Sequence, residues 1–176
     1  MEFFSDTTLQ NQLLRSIVPL SRNDIVRGQY AGYRAEPGVD PARVAYVGHD
    51  FGAMYGVLLG AADSRPSCYV LMAGTPRFPD WYLYYPRLPE GERVAFRATF
   101  APHDPITQIG RLAPAPLFFQ FGTGDPHVPA ERAQEFFDAA HEPKRMAWYE
   151  CGHALNAAAR ADRLEWLGQQ LGLLHN

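Results

Sequence analysis

The stretch VGHDFGA, residues 47–53, places an aspartate, Asp50, at the middle of a G-x-x-x-G turn. A short apolar run at 43–48 (RVAYVG) precedes the turn and predicts a buried strand. A run of small and apolar residues at 51–62 (FGAMYGVLLGAA) follows it and predicts a helix whose Gly and Ala residues allow close packing. The flanking glycines permit a sharp bend without a Cβ clash, so the Asp50 side chain is expected to project outward. The positive end of the helix favours an anion at that position.

Three more apolar runs predict strands that alternate with helices. They lie at 68–74 (CYVLMAG), within 114–125 (PAPLFFQFGTGD) and at 144–150 (KRMAWYE). A helix bounded by prolines separates the last two runs, and a second helix follows the last one. The apolar residues of that second helix, at near-helical spacing, are Leu164, Trp166, Leu167 and Leu171. This order, with near-continuous apolar strands, predicts an α/β fold with a parallel sheet covered by helices on both faces.

The chain divides into two parts. Residues 1–41 form an N-terminal segment of uncertain origin, in which a helix at about 7–17 is predicted. Residues 42–176 form the α/β domain, with a small lid insert at 75–113. The insert begins with WYLYYP and predicts helices at 89–99 and 104–112. At 176 residues, the chain is long enough for one domain of ordinary size and too short for two.

Composition limits the classes of partner. A formal net charge of −3 argues against nucleic acid or an anionic membrane surface, and no run of 18 apolar residues predicts a membrane span. The first residues, MEFFSDTTLQNQ, do not resemble a signal peptide, and Cys68 and Cys151 are expected to be reduced thiols in a cytoplasmic protein. The six histidines show no ligand spacing, so no metal is expected. We expect a small-molecule substrate and no cofactor.

Three chemically active residues directly follow predicted strands. Asp50, Asp125 and His153 occur in this order, and the carboxyl ends of parallel strands are where such sheets bind ligands. Some enzymes that use nucleophilic catalysis carry a nucleophile, an acid and a histidine in this chain order. The histidine moves protons, and the acid orients the histidine. The alternatives are a helix cap for Asp50 and a turn role for Asp125 in G-D-P. His49 and His127 flank these residues, where a supporting or plain surface role is favoured.

Residues 40–172 resemble the C-terminal half of an α/β-hydrolase of the dienelactone-hydrolase or esterase-like kind. The matching stretches are VDPARVAYVGHDFGAMYG, YVLMAGTP, APLFFQFGTGDPHVP and YECGHALNAAA. The resemblance implies a nucleophile elbow, with Asp50 as nucleophile, Asp125 as acid and His153 as base. It also implies that the backbone N–H of Phe51 contributes to the oxyanion site, with His49 beside it.

The nucleophile departs from most esterases of this fold, which carry serine there. Aspartate resembles the haloalkane dehalogenase and epoxide hydrolase branches, with G-H-D-W-G or G-H-D-R-G, in which the carboxylate forms an ester with the substrate and water cleaves it. Phe51 stands where dehalogenases often place Trp. The pocket candidates in the insert, which are equally explained as packing residues, are Trp81, Tyr82, Tyr84 and Tyr85. The predicted reaction is hydrolysis of a small uncharged ester, epoxide or halide through an Asp-His-Asp triad.

Two alternatives remain. A complete α/β-hydrolase has strands before the elbow strand, and residues 1–42 show no such pattern. The elbow strand is then an exposed edge that invites association of copies, and an inactive fragment or binding module becomes the alternative function. Nucleotide binding is disfavoured, because the glycine spacing is not G-x-G-x-x-G. Residues 12–39 separately resemble a short part of glucose-6-phosphate dehydrogenase, from which we infer no activity.

Overall fold

The computed structural model describes Asp40, residues 42–82 and residues 88–173, with only the backbone of Tyr82. The helix predicted at 7–17 and the segment 12–39 lie outside the described residues. The four strands in the described part form one parallel sheet in the order β1-β2-β3-β4. They are β1 Ala45–His49, β2 Cys68–Met72, β3 Leu117–Gly122 and β4 Lys144–Tyr149. The sequence therefore correctly predicts a parallel α/β sheet.

Helices connect the strands in the predicted alternation. They are α1 Phe51–Ala62, α2 Pro79–Tyr82, α3 Glu90–Phe100, α4 Pro105–Gln108, α5 Ala130–Ala139 and α6 Ala157–Gln170, with 3-10 turns at Ala101–His103 and Ile109–Leu112. The side chain of Asn156 accepts a hydrogen bond from Ala159 N at 3.0 Å and so caps α6 at its start. α5 ends at Ala139, shortly before Pro143, a residue that cannot continue a helix.

Two continuous apolar runs, at 68–74 and within 114–125, form the central strands β2 and β3. Every residue of β2 and β3 is buried, because helices cover both faces of the sheet. The larger core lies between one face and helices α1 and α5, where Leu71, Phe119 and Phe136 are at most 1% exposed. The smaller core lies on the other face under α6, against Trp166. Leu164 is 57% exposed, so the spacing wrongly assigned it to the apolar face of α6.

The insert between β2 and β3 is firmly joined to the main core. Its residues Phe78, Phe100 and Ile109 are at most 1% exposed and belong to the same apolar cluster as the sheet. The buried carboxylate of Asp104 accepts a hydrogen bond from Phe78 N at 3.0 Å and ties the two halves of the insert together. The described residues of the insert therefore pack against the core near the carboxyl end of β2.

Strand β1 forms one edge of the described sheet. The carbonyl of Val44 accepts from Ser67 N at 2.7 Å and Asp50 N donates to Met72 O at 2.9 Å, so these groups face β2. Along a strand, the backbone N–H and C=O groups of successive residues point in turn to one side and to the other. The backbone groups of Val47 therefore point away from β2. The Val47 side chain is 45% exposed.

A matched glycine pair tests the tight contact at the elbow. A Cβ on Gly48 would lie 2.4 Å from the backbone carbonyl oxygen of Gly52, whereas a Cβ on Gly52 would meet nothing within 4 Å. Gly48→Ala is expected to lower the free energy of unfolding by about 2–3 kcal/mol, because backbone must move. Gly52→Ala is expected to raise it by up to about 1 kcal/mol through helix propensity. Urea denaturation followed by circular dichroism measures both; equal effects would contradict this account. The expectation that both glycines avoid a Cβ clash is wrong for Gly52.

Candidate active site

Asp50 occupies a strained turn between β1 and α1. Its φ of 57° and ψ of −123° lie in a region that non-glycine residues rarely adopt and that costs on the order of 1–3 kcal/mol. Its backbone is held at both ends, since its N–H donates to Met72 O at 2.9 Å and its carbonyl accepts from Ala53 N at 3.0 Å. The side chain makes no cap hydrogen bond, although Asp50 is the N-cap residue by position. The Asp50 carboxylate is therefore not used to cap α1.

Asp125 has both a turn role and a contact with the histidine. One carboxylate oxygen, Oδ1, accepts from His127 N at 2.8 Å and from Val128 N at 3.3 Å, which closes the turn after β3. The other oxygen, Oδ2, lies 2.8 Å from Nδ1 of His153, and the Asp125 side chain is fully buried. The turn interpretation and the acid interpretation therefore describe two oxygens of one carboxylate.

His153 lies between the two aspartates. Since its Nδ1 faces a carboxylate, the proton belongs on Nδ1, and Nε2 is left as an acceptor. Nε2 of His153 lies 3.6 Å from Oδ2 of Asp50. This Nε2 has no hydrogen-bond partner among the described residues. Oδ1 of Asp50 is likewise without a partner there. The structure thus brings together the three residues that the sequence placed after strands β1, β3 and β4.

The loops that carry Asp125 and His153 are hydrogen-bonded to each other. Gly124 N donates to Cys151 O at 2.9 Å, and Thr123 N donates to Tyr149 O at 2.8 Å. These bonds continue the pairing of β3 with β4 beyond the strand ends. As a result, the distance between the acid and the histidine is set by main-chain contacts rather than by flexible side chains.

Aromatic rings surround the imidazole of His153. The Trp81 ring, from α2 of the insert, lies 5.4 Å from the His153 ring and 5.7 Å from that of Phe51, measured between centroids. The rings of His127 and His49 lie 5.2 Å and 4.8 Å from His153. Trp81 is 6% exposed, and its indole N–H has no acceptor among the described residues. A buried donor without an acceptor is costly, so this N–H needs an acceptor that the described residues do not supply.

The other aromatic candidates of the insert are less defined. Tyr84 and Tyr85 lie outside the described residues, and the side chain of Tyr82 is not described. Their role as pocket residues remains a prediction, as does the oxyanion role of the Phe51 N–H.

Two ion pairs that sequence analysis missed join the insert to α5. Arg77 donates to both carboxylate oxygens of Glu135, at 2.8 and 2.5 Å, and Arg132 lies 3.6 Å from Asp80. Burial raises the pKa of Asp80, and the nearby cation of Arg132 partly opposes that shift. No spacing signal connects these residues, since the members of the two pairs lie 58 and 52 positions apart and meet only in the folded chain. They fix the segment that carries Trp81.

No protein-family model matches the chain. The uncharacterized protein Rv2307c of Mycobacterium tuberculosis is 33% identical over 109 residues, which cover 61% of this chain and 36% of that protein. The same match is found to the protein MT2364 of a second strain of that organism. The chain thus spans 36% of the length of the curated relatives it matches.

Solved structures similar to this chain are α/β hydrolases. The α/β hydrolase GrgF from Penicillium sp. sh18 gives a TM-score of 0.67 at 15% identity, covering 86% of this chain and 73% of that one. Acetyl xylan esterase 1 from Thermoanaerobacterium sp. JW/SL YS485 gives 0.65 at 15% identity, covering 81% of this chain and 50% of that one. The chain has a partial α/β-hydrolase fold. The dienelactone-hydrolase subtype and the likeness of 12–39 to glucose-6-phosphate dehydrogenase stay predictions.

Other features of the described part concern its thiols, metals and membranes. Cys68 and Cys151 are both free thiols, and burial raises the pKa of the Cys68 thiol to about 11. Among the described residues, no group of three His, Cys, Asp or Glu side chains is arranged to hold a metal ion. None of the helices described is long and apolar enough to cross a membrane.

Proposed function

We propose that the chain is a hydrolase in which Asp50 attacks a small uncharged substrate and His153, oriented by Asp125, activates the water that releases the product. The observation that carries the proposal is the placement of His153, with Nδ1 2.8 Å from Asp125 and Nε2 3.6 Å from Asp50. The strained backbone of Asp50 supports it, because such strain concentrates at functional sites.

The first step forms a covalent ester. A carboxylate oxygen of Asp50 attacks an electrophilic carbon, and the bond from that carbon to its leaving atom breaks. A halide departs with the electron pair, whereas an epoxide oxygen stays attached to the substrate and takes a proton from an acid. The hydroxyls of Tyr82, Tyr84 and Tyr85 are the predicted proton donors. With a carboxylic ester as substrate, the same attack on the acyl carbon breaks the bond to the ester oxygen and gives a mixed anhydride, while the departing alkoxide or aryloxide takes a proton from water.

The second step returns the carboxylate. Water attacks the carbonyl carbon of the Asp50 ester while Nε2 of His153 takes a proton from that water. The tetrahedral intermediate collapses and the product oxygen leaves as an alcohol after regaining a proton. The negative charge of Asp125 stabilises the imidazolium that exists in between. For a halide the net reaction consumes one water and releases one alcohol, one halide and one proton.

The spacing between His153 and Asp50 suits this chemistry. A serine nucleophile must give its proton to the histidine, which needs a direct hydrogen bond of about 2.6–3.2 Å. A carboxylate nucleophile has no proton to give up and needs no base in the first step. The 3.6 Å between Nε2 and Oδ2 therefore costs the first step nothing, and the base is needed only where water arrives.

The surroundings favour a neutral, partly apolar substrate. Asp50 and Asp125 both carry negative charge when ionised, which disfavours an anionic substrate. The rings of Trp81 and Phe51 lie beside the site, and the indole N–H of Trp81, which has no acceptor among the described residues, is a candidate donor to the leaving halide or the epoxide oxygen. These features favour a short haloalkane or a terminal epoxide over a charged ester.

Oxygen-18 labelling tests the proposal directly. The full chain is incubated in ¹⁸O-water with a panel of short haloalkanes, terminal epoxides and aryl acetates, and the peptide containing Asp50 is then weighed. Turnover through an Asp50 ester is expected to place ¹⁸O in that carboxylate, because water attacks the aspartyl carbon. The peptide containing Asp125 is the internal control and is expected to stay unlabelled. With a haloalkane or an epoxide, product formation without label on Asp50 would mean direct attack by water, and folded protein that forms no product from any member of the panel would favour the inactive fragment or binding module.

We also propose that copies of the chain associate through the edge of β1 that has no neighbouring strand among the described residues, where Val47 is exposed. Val47→Lys is expected to abolish concentration-dependent association in analytical ultracentrifugation, because a charge on an edge strand opposes pairing. Val94→Lys, which changes a valine that is 60% exposed on α3, is the matched control and is expected to behave like the unchanged protein. Monomeric unchanged protein, or undiminished association of Val47→Lys, would remove this surface from consideration.

A further inference from the structure

His49 contacts the main chain of the proposed base. Its Nε2 lies 2.8 Å from the backbone carbonyl oxygen of His153, a residue 104 positions away in the chain. A carbonyl oxygen only accepts hydrogen bonds, so Nε2 of His49 must carry the proton and donate it. The two imidazole rings also approach edge to face, with centroids 4.8 Å apart. The residue just before the proposed nucleophile is therefore bonded to the residue proposed as base.

This contact complements the bond made by the acid. Asp125 holds the ring of His153 through Nδ1, whereas His49 holds the carbonyl of the same residue. His153 lies in the loop between β4 and α6, where no strand pairing fixes its carbonyl. In the described part of the chain, main-chain hydrogen bonds hold the neighbouring carbonyls of Cys151 and Gly152 but not that of His153 itself. Without the bond from His49, the imidazole can pivot about its bond to Asp125, and Nε2 can move relative to Asp50. Two points of attachment remove that freedom.

We propose that His49 is a positioning residue that sets the distance between the base and the nucleophile through its bond to the carbonyl of His153. The carbonyl bond links the elbow turn to the His153 loop, so Asp50 and His153 move together. The expected effect on catalysis rests on the proposed function, whereas the expected effect on the position of His153 does not. A displacement of about 1 Å at a catalytic group is enough to cost about 10²-fold in rate.

Three variants separate the hydrogen bond from simple ring packing. His49→Phe keeps an aromatic ring against His153 and removes the donor. His49→Gln removes the ring and keeps an amide N–H at a similar reach from the backbone. His49→Asn keeps an amide that is too short to reach the carbonyl. If His49 acts through its hydrogen bond, His49→Gln is expected to behave like the unchanged protein. His49→Phe and His49→Asn are then expected to show the same defect as each other.

The first measurement is the NMR signal of the His153 Nδ1 proton in the full-length protein without substrate. We expect this signal to be sharp in the unchanged protein and in His49→Gln, and to broaden or disappear in His49→Phe and His49→Asn. With any substrate that the enzyme turns over, we expect kcat to fall by about 10–100-fold in Phe and Asn, with KM nearly unchanged. Using two defective variants keeps the test valid if one of them does not fold.

The outcomes are distinguishable from a failure of the proposed function. If the unchanged protein shows no turnover, the proposed function fails, and the Nδ1 proton signal alone then decides the role of His49. A sharp signal in both Phe and Asn, together with kcat within twofold where turnover exists, would overturn the proposal. A signal that is lost in His49→Gln but stays sharp in His49→Phe would also overturn it, because ring packing would then be the cause.

Discussion

Asp50→Ala is expected to abolish turnover, with kcat falling by about 10⁴-fold or more. The reason is that no other side chain occupies the elbow, so the covalent step loses its nucleophile while the rest of the site stays in place. The measurement is the initial rate with whichever substrate of the labelling panel is turned over, together with the mass of the peptide that carries position 50. Asp138→Ala, at an exposed position on α5, is the matched control and is expected to keep full activity.

Asp50→Gly adds a readout that does not depend on substrate. Glycine adopts a φ of 57° without a Cβ penalty, so the variant is expected to gain about 1 kcal/mol in the free energy of unfolding while losing activity. Urea denaturation measures the gain against the unchanged protein and against Asp50→Ala, which keeps the strain. A protein that loses activity and gains stability at the same residue shows a trade-off between strain and function. Activity that survives in either variant would rule out Asp50 as nucleophile.

His153→Gln is expected to stop the reaction after the first step and to trap the ester. The carboxylate of Asp50 still attacks, because an ionised nucleophile needs no base, but no group remains to take a proton from the attacking water. Loss of a general base costs typically about 10²–10⁴-fold, so the covalent form should accumulate. Intact mass spectrometry should show one added substrate group per chain, and peptide mapping should place it on Asp50.

The control for trapping is an exposed histidine. His141→Gln, in the turn before β4, is expected to turn over normally and to show no adduct. An adduct on another residue in His153→Gln would move the nucleophile elsewhere. Turnover at the unchanged rate would remove His153 from the mechanism altogether. A slow reaction without any adduct would indicate that the histidine acts before the covalent step, as it does with a serine nucleophile.

Much of the fold was predictable because the signals are local. Continuous apolar runs identify β2 and β3, since strands buried on both faces exclude polar residues. The turn at Asp50 follows from glycine and helix patterns within a dozen residues. Parallel order then requires that residues following the strands share one edge of the sheet, which is why Asp125 and His153 were predicted beside Asp50.

The supporting contacts of the site were not predictable in the same way. The bond from His49 to the carbonyl of His153 joins residues 104 positions apart, and no spacing pattern marks it. The position of Trp81 edge-on beside the imidazole depends on how the insert packs and on ion pairs that form only in the folded state. Two local expectations failed for a related reason. Gly52 faces open space and Leu164 faces solvent, because the neighbours that decide such contacts come from elsewhere in the chain.

The sequence by itself determined the parallel α/β architecture, the elbow turn and the order of Asp50, Asp125 and His153. These depend on hydrophobic periodicity, on turn chemistry and on the rule that parallel strands end at one edge. Only the tertiary structure decided the distances of 2.8 Å and 3.6 Å around His153, which nitrogen of its ring faces Asp125, and which rings lie around it. The physical reason is that these quantities arise from contacts between distant segments, whose geometry is set by packing of the whole domain rather than by any local pattern.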